Sequence, residues 1–361
     1  MQANLDVLTA HEIYMTRCLQ LAKLGAGYVA PNPMVGAVLI YEDKVIGEGW
    51  HQRYGEAHAE VNCIHQAIEY GYEDLVPKST LYVSLEPCAH FGKTPPCADL
   101  IIKHRIPKVI IGCRDPFKEV NGKGIEKLIA AGIQVETGIL EKQSKELNKR
   151  FFTFHQQQRP YIILKWAQTA AGKISSGTDK RLLISNDYSN RLVHKWRSEE
   201  AAIMVGTNTA LLDNPSLTNR LFTGPSPLRL VLDINLRLPS SLNIFKGNPR
   251  TIIFNSIKQE ETGSVLYCRL NGEGSVVSQM MQALYQMKIQ SVLVEGGASL
   301  LQCFIREKLF DEARIIQSTT QAVEHDDKGL QAPCLSNATL KKTLSLQEDT
   351  INIFKRIQID S

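Results

Sequence analysis

The chain has 361 residues, enough for two domains of roughly 150 residues each. Its 41 basic and 37 acidic residues give a net charge of +4 without a dense Lys/Arg run, which argues against a nucleic-acid partner. No apolar run approaches the ~18 residues of a membrane span, and the N-terminus does not read as a secretory signal. We therefore expect a cytoplasmic protein with reduced cysteines and no membrane partner.

Strands and helices alternate in the first half of the predicted fold. Residues 9–12 have the T-x-x-E form of a capping box and predict a helix that ends near Gly25. The apolar runs on either side of 42–44 predict a β-hairpin. Further helices are predicted over 58–70, 97–104 and 124–131, and further strands over 79–85, 108–112 and 133–136. This order indicates an α/β domain with a largely parallel sheet.

A polar segment over 141–158 is predicted to be helical and to connect to a second series of elements. We place the domain boundary within it, giving domains 1–147 and 148–361. Strands of the second domain are predicted over 161–166, 201–205, 228–232, 251–254 and 291–295. Helices are predicted over 275–287 and 299–309, and a hairpin from 340 to 359.

Residue types suited to a zinc site occur between His58 and Cys97. The signature of zinc deaminases is H-x-E followed by P-C-x-x-C. This chain has HAE at His58 and PC at Cys88, but eight residues separate Cys88 from Cys97. Two thiolates and an imidazole hold Zn²⁺ and leave one position open for water, whose pKa falls to about 7 on the metal. Glu60 is then the candidate that moves protons.

Other interpretations of this stretch are open. A structural one treats His58 as a core histidine, Glu60 as a solvated side chain and the two cysteines as buried thiols. A zinc-stabilised binding protein would need four protein ligands, and His90 is the near candidate for the fourth. A nucleic-acid deaminase with an accessory domain would need a basic groove and stacking aromatics, whereas 7% of the residues are aromatic.

Three further positions have both a structural and a functional interpretation. Asn32 lies between two prolines, in either a rigid turn or a binding loop. His51 directly follows the hairpin and is either a surface residue or part of the same site. The Glu-Gly-Gly sequence at Glu295 ends a strand and opens a helix, so it is either a phosphate-binding turn or a tight packing turn.

Seven stretches between Pro31 and Gly297 occur in a characteristic order: PNPMVGAV, GEGWH, HAEV, LEPCAHFGKTPPC, RDP, VGTNTALLDNPSLTNR and VEGG. In these stretches the chain resembles the bifunctional riboflavin-biosynthesis deaminase/reductase family. The spacing of eight residues before Cys97, with GKTPPC, is typical of this family within the cytidine-deaminase-like superfamily.

The resemblance implies two reactions on one pathway, with Zn²⁺ and NADPH as cofactors. The first domain, a cytidine-deaminase-like three-layer α/β/α fold, would release ammonia from the 2-amino group of a diaminopyrimidinone that carries a ribosylamino 5′-phosphate. The second domain, a dihydrofolate-reductase-like α/β fold, would use NADPH to reduce the ribosyl group to ribityl. Small phosphorylated pyrimidines would be the partners, with no nucleic acid and no membrane, and we expect a homo-oligomer.

The resemblance also assigns residues to both sites by position. Zinc would be bound by His58, Cys88 and Cys97, with Glu60 as the proton shuttle. The first substrate would contact Asn32, His51, His90 and Lys93. The second substrate would contact Arg181, Arg197, Leu217, Arg220 and Glu295. The reductase cofactor would contact Ala167, Thr209, Asp213, Gly297, Ala298, Ser299, Leu300, Leu301, Gln302 and Cys303.

Three places depart from the pattern usual in the family, and all three lie in the second domain. Ala171-Gly172 replaces an Asp-Gly pair, and Leu183 replaces a tryptophan before an isoleucine. A late glycine-rich turn is replaced by residues 318–320 and 325–327. These changes predict an altered cofactor affinity or a weaker second activity.

Overall fold

In the computed structural model, the described residues are 8–92, 95–176, 182–319 and 329–357, and the chain forms two compact units, 1–158 and 159–361. The division follows a helix over 149–157, whose Phe151 and Phe152 pack against Leu85 and Cys113 of the first unit. The boundary predicted from the sequence, after residue 147, falls before this helix because polar composition alone did not reveal the apolar contacts of its two phenylalanines.

The described elements of the first unit follow the predicted alternation. Its strands are β1 (Gly36–Tyr41), β2 (Lys44–Trp50), β3 (Thr80–Val83), β4 (Lys108–Ile111) and β5 (Gln134–Thr137). Its α-helices are α1 (Ala10–Ala22), α2 (Ala59–Glu69), α3 (Cys97–Lys103), α4 (Lys123–Ala130), α5 (Glu141–Leu147) and α6 (Lys149–Gln157). The predicted capping box at Thr9 is present, with Glu12 returning the hydrogen bond.

The sheet of the first unit has the order β2-β1-β3-β4-β5 among the described strands. Only β3, β4 and β5 pair in parallel, because the β1–β2 hairpin joins β3 antiparallel. The sheet is therefore mixed, whereas the sequence predicted a largely parallel one. Apolar residues of α2, α3 and α4 pack on one face and those of α1 on the other, which gives three layers.

The second unit also alternates strands and helices. Its described strands are β6 (Tyr161–Gln168), β7 (Ala202–Gly206), β8 (Leu228–Leu232), β9 (Thr251–Asn255), β10 (Glu260–Thr262), β11 (Val265–Arg269), β12 (Ser291–Val294), β13 (Glu312–Ser318), β14 (Ala338–Leu346) and β15 (Asp349–Arg356). Its described α-helices are α7 (Asp187–Glu199), α8 (Thr207–Asp213), α9 (Val276–Gln286) and α10 (Ala298–Arg306). The sequence did not predict β10, β11 or β13.

The sheet of this unit has the order β10-β11-β9-β8-β7-β12-β6-β13-β15-β14 among the described strands. The run from β11 to β13 is parallel, so the carboxyl ends of these strands share one edge. Helices α9 and α10 cover one face, and α7 and α8 cover the other. The α/β fold class predicted for both domains is confirmed. Among the described helices, none is long and apolar enough to cross a membrane.

Candidate active sites

The three predicted zinc ligands converge in the first unit. His58 caps the start of α2, Cys88 lies in the loop after β3, and Cys97 opens α3. The Nδ1 atom of His58 lies 3.6 Å from the Sγ atom of Cys88 and 3.3 Å from that of Cys97. All three ligand atoms lie within 4.8 Å of one another, and this donor set fits zinc.

The cluster has three members among the residues that the structure describes, and His90 is not one of them. Three protein ligands are typical of catalytic zinc sites, whereas purely structural sites have four. The contact between the two cysteines lowers the pKa of the Cys88 thiol, whereas the same contact and burial raise the pKa of Cys97. Cys88 is therefore the thiol of the pair that loses its proton more readily, and zinc would be held by the thiolates of both. These observations favour a catalytic site over a zinc-stabilised binding protein.

Glu60 lies in the first turn of α2, two residues after His58, and its side chain is buried. Burial raises the pKa of this carboxyl above its usual range, because the charged form loses its hydration. A carboxyl with a raised pKa can take up and release a proton closer to neutral pH. The placement excludes the interpretation of Glu60 as a solvated surface residue.

His51 and Asn32 form a hydrogen-bonded pair beside this cluster. The His51 ring packs edge-on against the His58 ring, with 5.3 Å between centroids. Its Nδ1 atom lies 3.0 Å from the carbonyl oxygen of Ala57, which can only accept, so Nδ1 carries the hydrogen. Nε2 then accepts from the Nδ2 atom of Asn32 at 3.1 Å. Burial lowers the pKa of His51, which keeps this neutral tautomer. His51 is 2% exposed and is not a surface residue.

His90 belongs to a row of aromatic rings in the same unit. Its ring stands edge-on to Phe117 at 5.9 Å, and Phe117 in turn contacts His155 at 4.9 Å. The Nδ1 atom of His90 is buried and has no hydrogen-bond partner in the described structure, so it can serve a ligand. Lys93, the other predicted contact in this loop, lies outside the described residues.

Glu86 is a buried residue that sequence reasoning missed. Its carboxylate accepts backbone N–H groups of Asp115, Gly122, Gly124 and Ile125 at 3.0–3.4 Å. These bonds attach the loop after β4 and the start of α4 to the loop that carries Cys88. Asp115 is itself buried, which raises the pKa of its carboxyl to about 7. The one signal in the sequence was a glutamate directly before Pro87-Cys88.

The second unit contains a cavity of about 870 Å³ along the carboxyl edge of its parallel strands. This volume lies in the upper part of the range for small-molecule and cofactor sites. Most predicted reductase residues line it: Arg197, Leu217, Glu295, Ala167, Thr209, Asp213, Gly297, Ala298, Ser299, Leu300, Leu301 and Cys303. Arg181 lies outside the described residues.

Gln302 and Arg220 are not among the residues that line the cavity. Gln302 accepts a hydrogen bond from the backbone of Cys334 at 3.0 Å. The guanidinium of Arg220 donates to the hydroxyl of Thr218 at 3.0 Å, and the side chain is exposed. Leu183, where the chain departs from the family pattern, lines the cavity and is 67% exposed.

Glu295 lies directly after β12, buried between two cations. Arg197 binds both of its carboxylate oxygens at 2.8 Å, and the Nζ atom of Lys165 lies 3.8 Å away. Burial alone would raise the pKa of Glu295, but the charges of Arg197 and Lys165 outweigh it and hold the pKa at about 2. Lys165 was missed in the sequence, although a lysine inside the apolar strand β6 was a usable signal.

Two family models match the chain. The cytidine and deoxycytidylate deaminase zinc-binding region matches residues 8–113, which contain the metal cluster. The RibD C-terminal domain matches residues 160–320, which contain most of the cavity. The two matches fall on the two compact units.

Full-length relatives match as well. Riboflavin biosynthesis protein RibD of Aquifex aeolicus is 38% identical, covering 95% of this chain and 98% of that protein. The Escherichia coli protein of the same name is 32% identical, with 88% and 90% covered. A solved diaminohydroxyphosphoribosylaminopyrimidine deaminase/5-amino-6-(5-phosphoribosylamino)uracil reductase from Thermotoga maritima is 35% identical, with a TM-score of 0.87 over 96% of this chain and 99% of that one. The chain therefore belongs to the RibD family of bifunctional riboflavin-biosynthesis enzymes, which combine a zinc-dependent deaminase with an NADPH-dependent reductase.

Proposed function

We propose that the first unit deaminates 2,5-diamino-6-(5-phosphoribosylamino)pyrimidin-4-one, and that the second reduces the ribosyl group of 5-amino-6-(5-phosphoribosylamino)uracil to ribityl. The observation that carries this proposal is the convergence of His58, Cys88 and Cys97, with the buried Glu60 two residues after His58 in the first turn of α2. The relatives that match over both units support the pairing of the two reactions.

In the deaminase unit, His58, Cys88 and Cys97 would bind the zinc ion, which when bound lowers the pKa of a coordinated water. Glu60 would move protons at its carboxyl, first toward the pyrimidine ring and then, with a second proton, toward the leaving ammonia. The raised pKa of its buried carboxyl suits both steps. Because Glu60 is not a metal ligand, its replacement should leave the zinc in place.

The remaining polar groups of the deaminase unit would orient the pyrimidine. Asn32 uses its amide N–H toward His51, so its amide oxygen remains to accept from an amino group of the substrate. His90 offers a buried Nδ1 atom with no protein partner in the described structure. We keep Lys93, in the same loop, as a substrate contact proposed from its position in the family motif.

In the reductase unit, Gly297 opens α10 with a φ of +67°, a conformation that favours glycine. The backbone N–H groups that follow, at Ala298 and Ser299, would receive the cofactor pyrophosphate. NADPH, when bound, supplies the hydride. The substrate would then lie toward Glu295 and Leu217, with Arg181 and Arg220 as contacts proposed from the family pattern alone.

Glu295 and Lys165 would act on the ribosyl group. Reduction of the opened sugar consumes a proton as well as a hydride, and Lys165 is an acid that lines the cavity. The carboxylate of Glu295 stays charged and can accept hydrogen bonds from sugar hydroxyls. Arg197 is directed at Glu295 and at the carbonyl oxygen of Thr218, so we assign it to positioning Glu295 rather than to the substrate phosphate.

We further propose that the protein acts on small phosphorylated pyrimidines rather than nucleic acid, and in the cytoplasm. The mild net charge supports the first point, and the need for reduced ligand thiols at Cys88 and Cys97 supports the second.

We also propose a homo-oligomer. Strand β14 ends the described sheet order and leaves one row of backbone groups open for pairing with another copy. Light scattering on the purified chain would test this.

The function is tested by supplying the diaminopyrimidinone phosphate with and without NADPH. Ammonia release and NADPH oxidation are followed separately in the wild type and in Glu60→Gln. We expect the variant to keep its zinc, to lose deamination by about 10²–10⁴-fold, and to oxidise NADPH only when given the already deaminated substrate. Near-normal ammonia release by the zinc-loaded variant would refute the role of Glu60.

A further inference from the structure

The cavity of the second unit follows the carboxyl ends of four adjacent parallel strands, in the order β6, β12, β7 and β8. Lys165, on β6, lies one residue beyond the Val294–Leu164 pair at which β12 ends, and the loop of residues 233–238 follows β8. Three strand spacings of about 4.8 Å separate β6 from β8, which is roughly 14 Å. A ligand that fills the cavity is therefore extended, as a dinucleotide is, and its two ends meet different residues.

The basic residues among the described lining of the cavity are Lys165, Arg197 and Arg237. Lys165 and Arg197 both face Glu295, so their charge is opposed by a buried carboxylate. Arg237 lies at the other end and is exposed. Within the described part of the chain it has one weak hydrogen bond, from Nη2 to the Oδ1 atom of Asn208 at 3.5 Å. Its guanidinium retains donors for an anion at the β8 end.

The loop that carries Arg237 is held by Asp233, whose side chain is 1% exposed. The carboxylate of Asp233 accepts from the hydroxyl of Thr207 at 3.2 Å and from the backbone N–H of Leu238 at 3.0 Å. An acidic residue in this part of a dinucleotide fold commonly binds the ribose 2′-hydroxyl and selects NAD. Here the carboxylate is occupied within the protein, whereas the neighbouring arginine faces the cavity.

The same end of the cavity also has apolar walls. Ile234, in the loop after β8, lines this end, and Val276, which is 37% exposed at the start of α9, also lines the cavity. Apolar side chains of this kind suit the faces of a flat base. With the reactive ring near Glu295 and the pyrophosphate at the start of α10, the adenosine half of the cofactor falls beside these residues.

We propose that Arg237 binds the 2′-phosphate of NADPH and thereby makes the reductase unit prefer NADPH to NADH. This inference rests on the proposed reductase function. An arginine can bind a phosphate through two parallel N–H groups, which adds both affinity and orientation. No comparable gain is available for NADH, which has a hydroxyl at that position.

The test is direct binding of NADP⁺ and NAD⁺ to the full-length chain by calorimetry. The variants are Arg237→Ala and Arg237→Lys, with Arg191→Ala, an exposed arginine of α7 outside the cavity, as the matched control. We expect Arg237→Ala to weaken NADP⁺ binding by about tenfold to a hundredfold and NAD⁺ binding by less than about twofold. Arg237→Lys should recover part of the loss, and the control should match the wild type.

Equal weakening of both cofactors would show a structural role for Arg237, and unchanged NADP⁺ binding would assign the phosphate to another residue. A wild-type chain that binds NADP⁺ no better than NAD⁺ would also overturn the inference. NADPH oxidation by the wild type is measured separately. Selective NADP⁺ binding without oxidation would refute the proposed reduction while leaving the role of Arg237 intact.

Discussion

Arg197 and Glu295, which are 98 positions apart in the sequence, form a buried bidentate ion pair. The guanidinium Nε and Nη2 atoms each lie 2.8 Å from a separate carboxylate oxygen. Side chains in such a pair have little freedom to move, and Arg197 also donates to the carbonyl oxygen of Thr218 at 3.2 Å. The pair therefore fixes Glu295 in one orientation at the cavity wall.

Removal of one partner from this pair should destabilise the second unit. For Arg197→Met we expect a loss of about 3–5 kcal/mol in the free energy of unfolding, because the buried carboxylate of Glu295 loses its bidentate partner and is left with Lys165 at 3.8 Å. NADPH oxidation should fall while ammonia release stays at the wild-type level. Urea unfolding and the two activities would be measured on the same sample. In the double variant Arg197→Met/Glu295→Met, part of the stability should return, because no buried carboxylate is left, although Lys165 loses its contact with Glu295. Reduction should not return. A double variant as unstable as the single one would contradict this account.

Lys165 should matter to the chemistry of reduction more than to cofactor binding. We expect Lys165→Met to lower the rate of NADPH oxidation by about 10²-fold or more, since the side chain can no longer donate a proton. NADP⁺ affinity, measured by calorimetry, should change little, because the proposed pyrophosphate and adenosine contacts lie elsewhere. A weakened NADP⁺ affinity with an unchanged rate constant at saturation would instead place Lys165 in the cofactor site.

The metal cluster predicts how single cysteine variants will behave. Cys97→Ala should lose zinc and deamination, because two remaining ligands hold the ion weakly. Cys63→Ala is the matched control, since Cys63 is also a buried thiol of the first unit but is not in the cluster. Elemental analysis gives zinc per chain for both. Wild-type zinc content in Cys97→Ala would remove this residue from the ligand set.

His194 should make stability depend on pH. Burial, reinforced by the charges of Arg197 and Arg220, lowers its pKa from 6.5 to about 4, and its Nδ1 atom accepts the backbone N–H of Arg220 at 2.8 Å. Between these two pKa values His194 is therefore protonated in the unfolded state and neutral in the folded state. This contribution to stability is fully present above about pH 6.5 and is lost as the pH falls toward about 4.

The variant His194→Asn retains an acceptor but does not titrate in this range. We expect the free energy of unfolding of the wild type to fall more steeply than that of the variant between about pH 6.5 and about pH 5. Urea unfolding followed by the fluorescence of the second unit's Trp166 and Trp196 would measure both slopes. Parallel slopes would show that His194 does not titrate as its surroundings indicate.

The local pattern of the sequence was enough to predict the elements that bear the deaminase site. His58, Cys88 and Cys97 all lie within the segment that forms α2, β3 and the start of α3. Zinc binding is limited to a few residue types, so their motifs were recognisable in the sequence. Most helices and strands were also predicted, since apolar periodicity is a local property. Strand β13 was missed because Glu312 and Arg314 interrupt its apolar pattern, and charged residues predict an exposed segment. In the structure the two side chains are buried and pair with each other at 2.6 Å.

Only the tertiary structure decided which partners the charged side chains bind. The family resemblance assigned Arg197 and Glu295 to the substrate, and in the fold these two side chains bind each other with Lys165 beside them. Glu86 reads as part of a motif, but its four backbone partners lie 29 to 39 residues later, in the loop after β4 and at the start of α4. Such contacts depend on which strand ends become neighbours, and sheet order is set by the packing of the whole unit rather than by any local pattern.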